Sequence, residues 1–246
     1  MVRNRAMRTG EWMAVAGLLA LAGGAGAKVK VQLAPNLADY HVQNVAILGL
    51  ANTTGDEEAD EMAVHLVHAL SQTGMYHLTT SEQFARDAKR TGVEAEHARM
   101  LSTWLKKRKT DELVVKKVLT ATGFDAVIAM EVNRWEEKTL DPMNEGTSDT
   151  TVGVFLQMIA LDGVMLWSAK ESVTEHSRPY LPEFNLRSTG SGQAVNTARG
   201  AAPEPPEIKK VARELAEIVI ATLPDVKKSG SVDTVSTGSD STGSGN

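Results

Sequence analysis

Glu61, His65 and His68 fall one helical turn apart within EMAVHLVHALSQ. That spacing lines up a carboxylate and two imidazoles on one helix face, and both group types are zinc ligands. The same residues, with Glu58 and Gln72, also form the polar stripe opposite Ala59, Met62, Ala63, Leu66 and Leu70. No His-Glu-x-x-His order accompanies them. A solvated helix face explains the pattern, and no metal is expected. Asp56 to Glu61 is an acidic run without calcium-loop spacing, placed where negative charge suits a helix N-terminus. Lys106, Lys107, Arg108 and Lys109 close another helical stretch, where cations suit the opposite pole; they read as a solvated end. Nucleophile elbows, phosphate-binding loops and dinucleotide glycine patterns are missing from residues 28–246. The expectation is a protein that is no enzyme and carries no cofactor.

Composition is that of an ordinary globular chain, enough for one core or at most two small ones. The chain has 246 residues, 42% hydrophobic, 23% charged and with no cysteine. Disulfides, thiolate chemistry and a lipid-bearing cysteine are therefore excluded. Arg3, Arg5 and Arg8 precede the apolar run MAVAGLLALAGGAGA, and Ala25-Gly26-Ala27 offers small residues for cleavage before Lys28. This is the pattern of a secretory signal peptide over residues 1–27. Its removal takes away three arginines and one glutamate, so the formal charge passes from −5 to −7. An acidic chain is a poor partner for nucleic acid, which is bound through clustered Lys and Arg. Any membrane contact is expected to be peripheral.

The elements that must position these residues follow from hydrophobic period. KVKVQLAP alternates as a half-exposed strand, and VQNVAILGL is apolar enough for a strand covered on both faces. Asn52, Thr54, Gly55 and Asp56 supply a turn that caps the next helix. MYHLTT is a short strand. Three helices follow, the first with Ser81 as its cap. The second places Ala98, Leu101 and Leu105 on one side, and the third Leu113, Val114, Lys117 and Val118. DAVIAMEVNRW is a strand. LQMIALDGVMLWSAK is a hairpin hinged at Asp162-Gly163, predicted as a two-residue type I′ turn with Leu161 facing Val164 and Met158 facing Trp167. EPPEIKKVARELAEIVIATLP is the last helix, opened by prolines.

The order is ββαβ(ααα)βββα, an α/β fold with a mixed sheet sandwiched by helices. It spans residues 28–228 as one domain, with a long loop at 178–206 and a Gly/Ser-rich tail at 229–246 that cannot offset the entropy of ordering. Loops this long are usually functional or disordered. This one carries Tyr180, Leu181, Phe184 and Leu186 among prolines. Such residues suit partner docking, because a Pro-restricted segment has less freedom to lose. Folding back onto the core is the competing reading.

Three blocks resemble a periplasmic superfamily that includes the TolB amino-terminal domain, the penicillin-binding-protein activators and the curli secretion component CsgG. They are VAILGLANTTGDEEADEM, in which Asn52, Thr54, Gly55 and Asp56 match the turn, then GFDAVIAMEV, then FLQMIALDGVMLWSAK. The resemblance implies a non-catalytic periplasmic adaptor or assembly protein. It would dock onto envelope proteins, or onto copies of itself in a homo-oligomeric ring. A CsgG-like secretion channel in the outer membrane is the alternative.

Overall fold

The computed structural model describes residues 29–141, 144–180, 183–188, 194–199 and 202–226, with the stretches 183–188 and 194–199 described by their backbone alone. The leader at 1–27 and the tail at 229–246 lie outside the described residues. A six-stranded mixed sheet runs in the order β1-β6-β5-β4-β2-β3. Its strands are β1 (Lys30–Leu33), β2 (Asn44–Asn52), β3 (His77–Thr79), β4 (Ala126–Lys138), β5 (Asp149–Ala160) and β6 (Met165–His176). β2 pairs parallel with both β3 and β4, and the remaining pairs are antiparallel. Crossovers explain this. α1 (Glu61–Gln72) carries the chain from β2 to β3; α2 (Ser81–Arg90), α3 (Glu94–Lys107) and α4 (Glu112–Thr122) carry it on to β4. Parallel neighbours need such connections, whereas β4, β5 and β6 follow one another as a meander.

Helices cover both faces. α1 and α5 (Ile208–Ile220) lie over Val45, Ile47, Ile128, Met130, Leu156 and Met158. α2, α3 and α4 lie over Ala46, Leu48, Val127, Ala129 and Ile159. Successive residues of a strand point to opposite faces, so the central strands must be apolar at every position. That accounts for the unbroken runs VAIL and AVIAM. The α/β class stands, and the expected order of elements holds from β1 to β6 and again at α5. Each fully buried Leu, Val or Met side chain contributes roughly 1.5–3 kcal/mol.

Four local expectations are corrected. α2 is capped by Thr80, whose hydroxyl accepts from the Gln83 N–H, and Ser81 is already helical. The buried face of α3 is His97, Met100 and Trp104, with Leu105 exposed. On α4 it is Val114, Val115, Val118 and Leu119, leaving Leu113 80% exposed. Both helices are rotated by about one residue from the expected stripe; on α3 the largest side chain, Trp104, takes the inner position. Within 178–206, expected to be a loop, β7 (Glu183–Ser188) and β8 (Ala194–Arg199) pair antiparallel.

The fourth correction concerns the Asp162-Gly163 hairpin. The Gly163 N–H donates to the Ala160 carbonyl at 2.9 Å, and the Ala160 N–H donates to the Val164 carbonyl at 2.8 Å. The loop is therefore Leu161–Gly163, three residues long, with Gly163 at φ +86°. Asp162 has no positive φ, which a type I′ turn would require. A bulge compensates: Ile159 faces Met165 while Met158 still faces Trp167, so Leu166 is the extra residue. Both Leu166 and Trp167 then enter the core under α5, as two residues of a bulge oppose one partner.

Candidate functional site

The Asn52–Asp56 turn leaves the C-terminal end of β2, and its polar groups are engaged within it. The Asn52 side-chain oxygen accepts from the Thr54 N–H (3.0 Å) and hydroxyl (2.8 Å). Its amide nitrogen donates to the Asp56 carbonyl at 2.6 Å and to the Asp60 carboxylate at 3.0 Å. Thr54 Oγ1 accepts from the Asp56 N–H, and Asp56 Oδ1 from the Glu58 N–H at 2.9 Å. Gly55, at φ +82°, supplies the left-handed residue this path requires. The result is a rigid joint leading through a 3-10 turn at Glu57–Asp60 into α1.

Thr53 ties that joint to a second group of residues that sequence reasoning missed. Its hydroxyl bonds Glu131 Oε1 (3.2 Å) and the Val132 carbonyl (3.0 Å). Glu131, 9% exposed, sits in the middle of β4. Arg108 meets it with two nitrogens, Nε on Oε2 and Nη2 on Oε1, each at 2.5 Å. A two-pronged guanidinium–carboxylate pair is strong and directional. The Arg108 guanidinium also lies 5.2 Å from the Trp104 ring centre, within cation–π range. Trp104 Nε1 donates to Gln157 Oε1 at 2.8 Å, and Gln157 Nε2 donates to Met165 Sδ at 3.4 Å. A polar chain thus crosses the sheet beneath α3. Arg108 belongs to this chain and not to the solvated end expected of it. It is in the left-handed conformation (φ 54°) that ends α3, and its N–H reaches the Trp104 carbonyl at 2.8 Å. The available signal was Glu131 itself, an acid inside the apolar run AVIAMEV.

At the opposite end of the sheet, Tyr40, Val42, Asp125, Leu161 and Asp162 line a shallow recess of about 230 Å³. Tyr40 donates its hydroxyl to Asp162 Oδ2 at 2.8 Å. Burial and the neighbouring Asp162 carboxylate raise its pKa. Asp125 Oδ2 accepts from the Gln43 and Asn44 N–H groups at 3.0 and 2.8 Å. Asp125 and Asp162 are therefore occupied in fastening β2 and the hairpin.

The residues expected to meet a partner lie elsewhere. Tyr180 is half-buried and bridges to Gly146 through its main chain, with bonds in both directions at 2.8 and 3.2 Å. Leu181 lies outside the described residues, and Phe184 and Leu186 fall on β7. Of the histidine stripe, Glu61 is drawn to Lys209 of α5 at 3.0 Å, and His68 opens to solvent beside Val64 on the outer face of α1.

These features define a class: a helix-covered mixed sheet whose buried polar groups join its elements. No family model matches the chain, and no curated protein does. Among solved structures it is similar to the PelC dodecamer from Paraburkholderia phytofirmans, at 16% identity with a TM-score of 0.45, covering 80% of this chain and 96% of that one. It is also similar to a lipoprotein from Neisseria meningitidis (20% identity, TM-score 0.40, 55% and 84% covered). The LpoB C-terminal domain from Salmonella enterica gives 14% identity and a TM-score of 0.33, again with 55% and 84% covered. At these TM-scores the likenesses carry no functional conclusion.

Proposed function

We propose that this chain is exported to the periplasm and works there as a non-catalytic adaptor or assembly protein. It docks onto cell-envelope proteins, with copies of itself in a ring as one form of that assembly. The observation that carries the reading is the leader pattern of residues 1–27, a basic start, an apolar run and Ala25-Gly26-Ala27. The engaged state of the turn supports it: Asn52, Thr54 and Asp56, which carry the superfamily resemblance, hold main chain and one another. A motif used in this way builds a scaffold. The channel alternative is the weaker reading at 178–206, since that stretch lacks the regular alternation of about 9–11 residues that a membrane-spanning strand needs.

The test is fractionation of cells expressing the full chain, with amino-terminal sequencing of the product and crosslinking in intact envelopes. The expected result is a periplasmic protein beginning at Lys28 and crosslinked to envelope proteins. Retention of the intact leader in the cytoplasm overturns the reading. Tyr180→Ala together with Phe184→Ala is expected to weaken crosslinking without lowering Tm; a large drop in Tm would assign them to the core instead.

A further inference from the structure

Among the described residues, strand β6 is flanked on both sides only as far as Lys170. β5 accompanies it to His176, opposite Asp149. Among the described residues, β1 pairs with it from Trp167 to Lys170. The direction of its main-chain groups is fixed by the bond from the Ala34 N–H to the Leu166 carbonyl, 2.9 Å. The alternation of an antiparallel ladder carries that direction on to Ser172, Thr174 and His176. Their amides and carbonyls point out along a border that is unpaired among the described residues.

The side chains along this border are acidic on the face beneath α5. Glu171 Oε1 accepts from the outward Ser172 N–H at 3.0 Å. Glu171 Oε2 is shut off from solvent and has no hydrogen-bond partner. Four residues on, and on the same face, Glu175 lies beside Glu214 of α5. Lys210 stands 3.7 Å from Glu214. Two carboxylates, Glu175 and Glu214, thus share one ammonium, and further along the border one buried Glu171 oxygen is left without a donor.

An unpaired strand border is a template for another strand. We propose that the Ser172–His176 border of β6 takes up an extended basic segment of a partner protein as an added strand. Lysine or arginine side chains of that segment meet Glu171 and Glu175. Directly opposed residues of paired strands lie about 5 Å apart, close enough for a cation to reach the unpartnered Glu171 oxygen. The incoming carbonyl replaces Glu171 at the Ser172 N–H, and the freed carboxylate turns to the cation. This names the surface of the docking role proposed above and rests on that role.

The experiment is fluorescence anisotropy of the full chain with a labelled peptide alternating valine and lysine. Its controls are a valine–glutamate peptide and a valine–lysine peptide N-methylated along one border. The expected result is saturable binding of the first peptide alone. Glu171→Gln and Glu175→Gln are each expected to weaken it by about threefold, the scale of a partly exposed ion pair. Binding that survives N-methylation, binding indifferent to both substitutions, or no saturable binding overturns the proposal. Self-association of Glu171→Gln without peptide uptake also overturns it, because the carboxylate would then merely guard the border. The outcome separates from the export reading. A cytoplasmic chain that binds the peptide retires export and keeps the border, and an exported chain indifferent to the peptide does the reverse.

Discussion

Gly163, in the turn between β5 and β6, lies directly against Glu112, the first residue of α4. A β-carbon built on Gly163 would stand 2.8 Å from Glu112 Cα and 2.7 Å from its Cγ. The hairpin tip and the helix start are thus joined through the one side chain that has no bulk. Gly163→Ala introduces both a backbone clash and a left-handed alanine. The expected loss is about 2–4 kcal/mol, read by urea unfolding. An unchanged midpoint would show that the tip is free of α4.

Arg108 and Glu131 are coupled across the join between α3 and β4. Removing one partner leaves the other charge buried, so Arg108→Met or Glu131→Met alone is expected to cost about 3 kcal/mol. The double variant Arg108→Met, Glu131→Met replaces the pair with apolar volume and is expected to recover most of that loss. A double-mutant cycle by denaturant unfolding measures the coupling. Additive single losses would mean that the two groups act independently.

Glu175 titrates above the usual carboxylate range, first through burial and then through its hydrogen bond and repulsion with Glu214, while Lys210 pulls the other way. A folded pKa above the unfolded value of about 4.3 means the folded chain holds its proton longer. This contribution to stability is present below that value and is lost as pH rises through the folded one. Glu214→Gln is therefore expected to raise Tm at pH 7 and to leave it unchanged near pH 4. Equal effects at both pH values would remove the carboxylate pair from the explanation.

His97 packs edge-on against Phe84, with ring centres 4.7 Å apart, and its Nε2 is buried without a partner. Burial lowers its pKa. The fold favours the neutral ring, so its contribution is fully present above the unfolded value of about 6.5 and falls as pH drops below it. His97→Leu is expected to lose less Tm between pH 7.5 and 5.5 than the parent chain does. A parallel decline in both would rule out this ring as an acid-sensitive point.

The order of elements from β1 to β6 and the double-sided burial of β2 and β4 could be read from the sequence, because runs such as VAIL and AVIAM admit few other placements. The faces of α3 and α4 could not. Their apolar residues span more than one stripe, and only the packing of Trp104 against Gln157 and Arg108 selects among them. The hairpin position was evident from Asp162-Gly163, but its three-residue form depends on Leu161 bonding the Asp125 carbonyl at 2.9 Å, a contact between distant segments. The Arg108–Glu131 join escaped for the same reason. A basic run looks solvated until a left-handed residue turns one member inward. β7 and β8 went unread because EFNLRS and AVNTAR alternate too weakly to stand out from a loop.

The placement of β1 beside β6 has a kinetic consequence. Lys30 waits for Lys170, whereas β2 meets β3 first and β4 later, so the first strand of the sheet has the longest wait for its neighbour. The β4–β5–β6 meander assembles from local pairs, which close fastest. A chain folding from its amino terminus therefore carries β1 unmatched until β6 has formed.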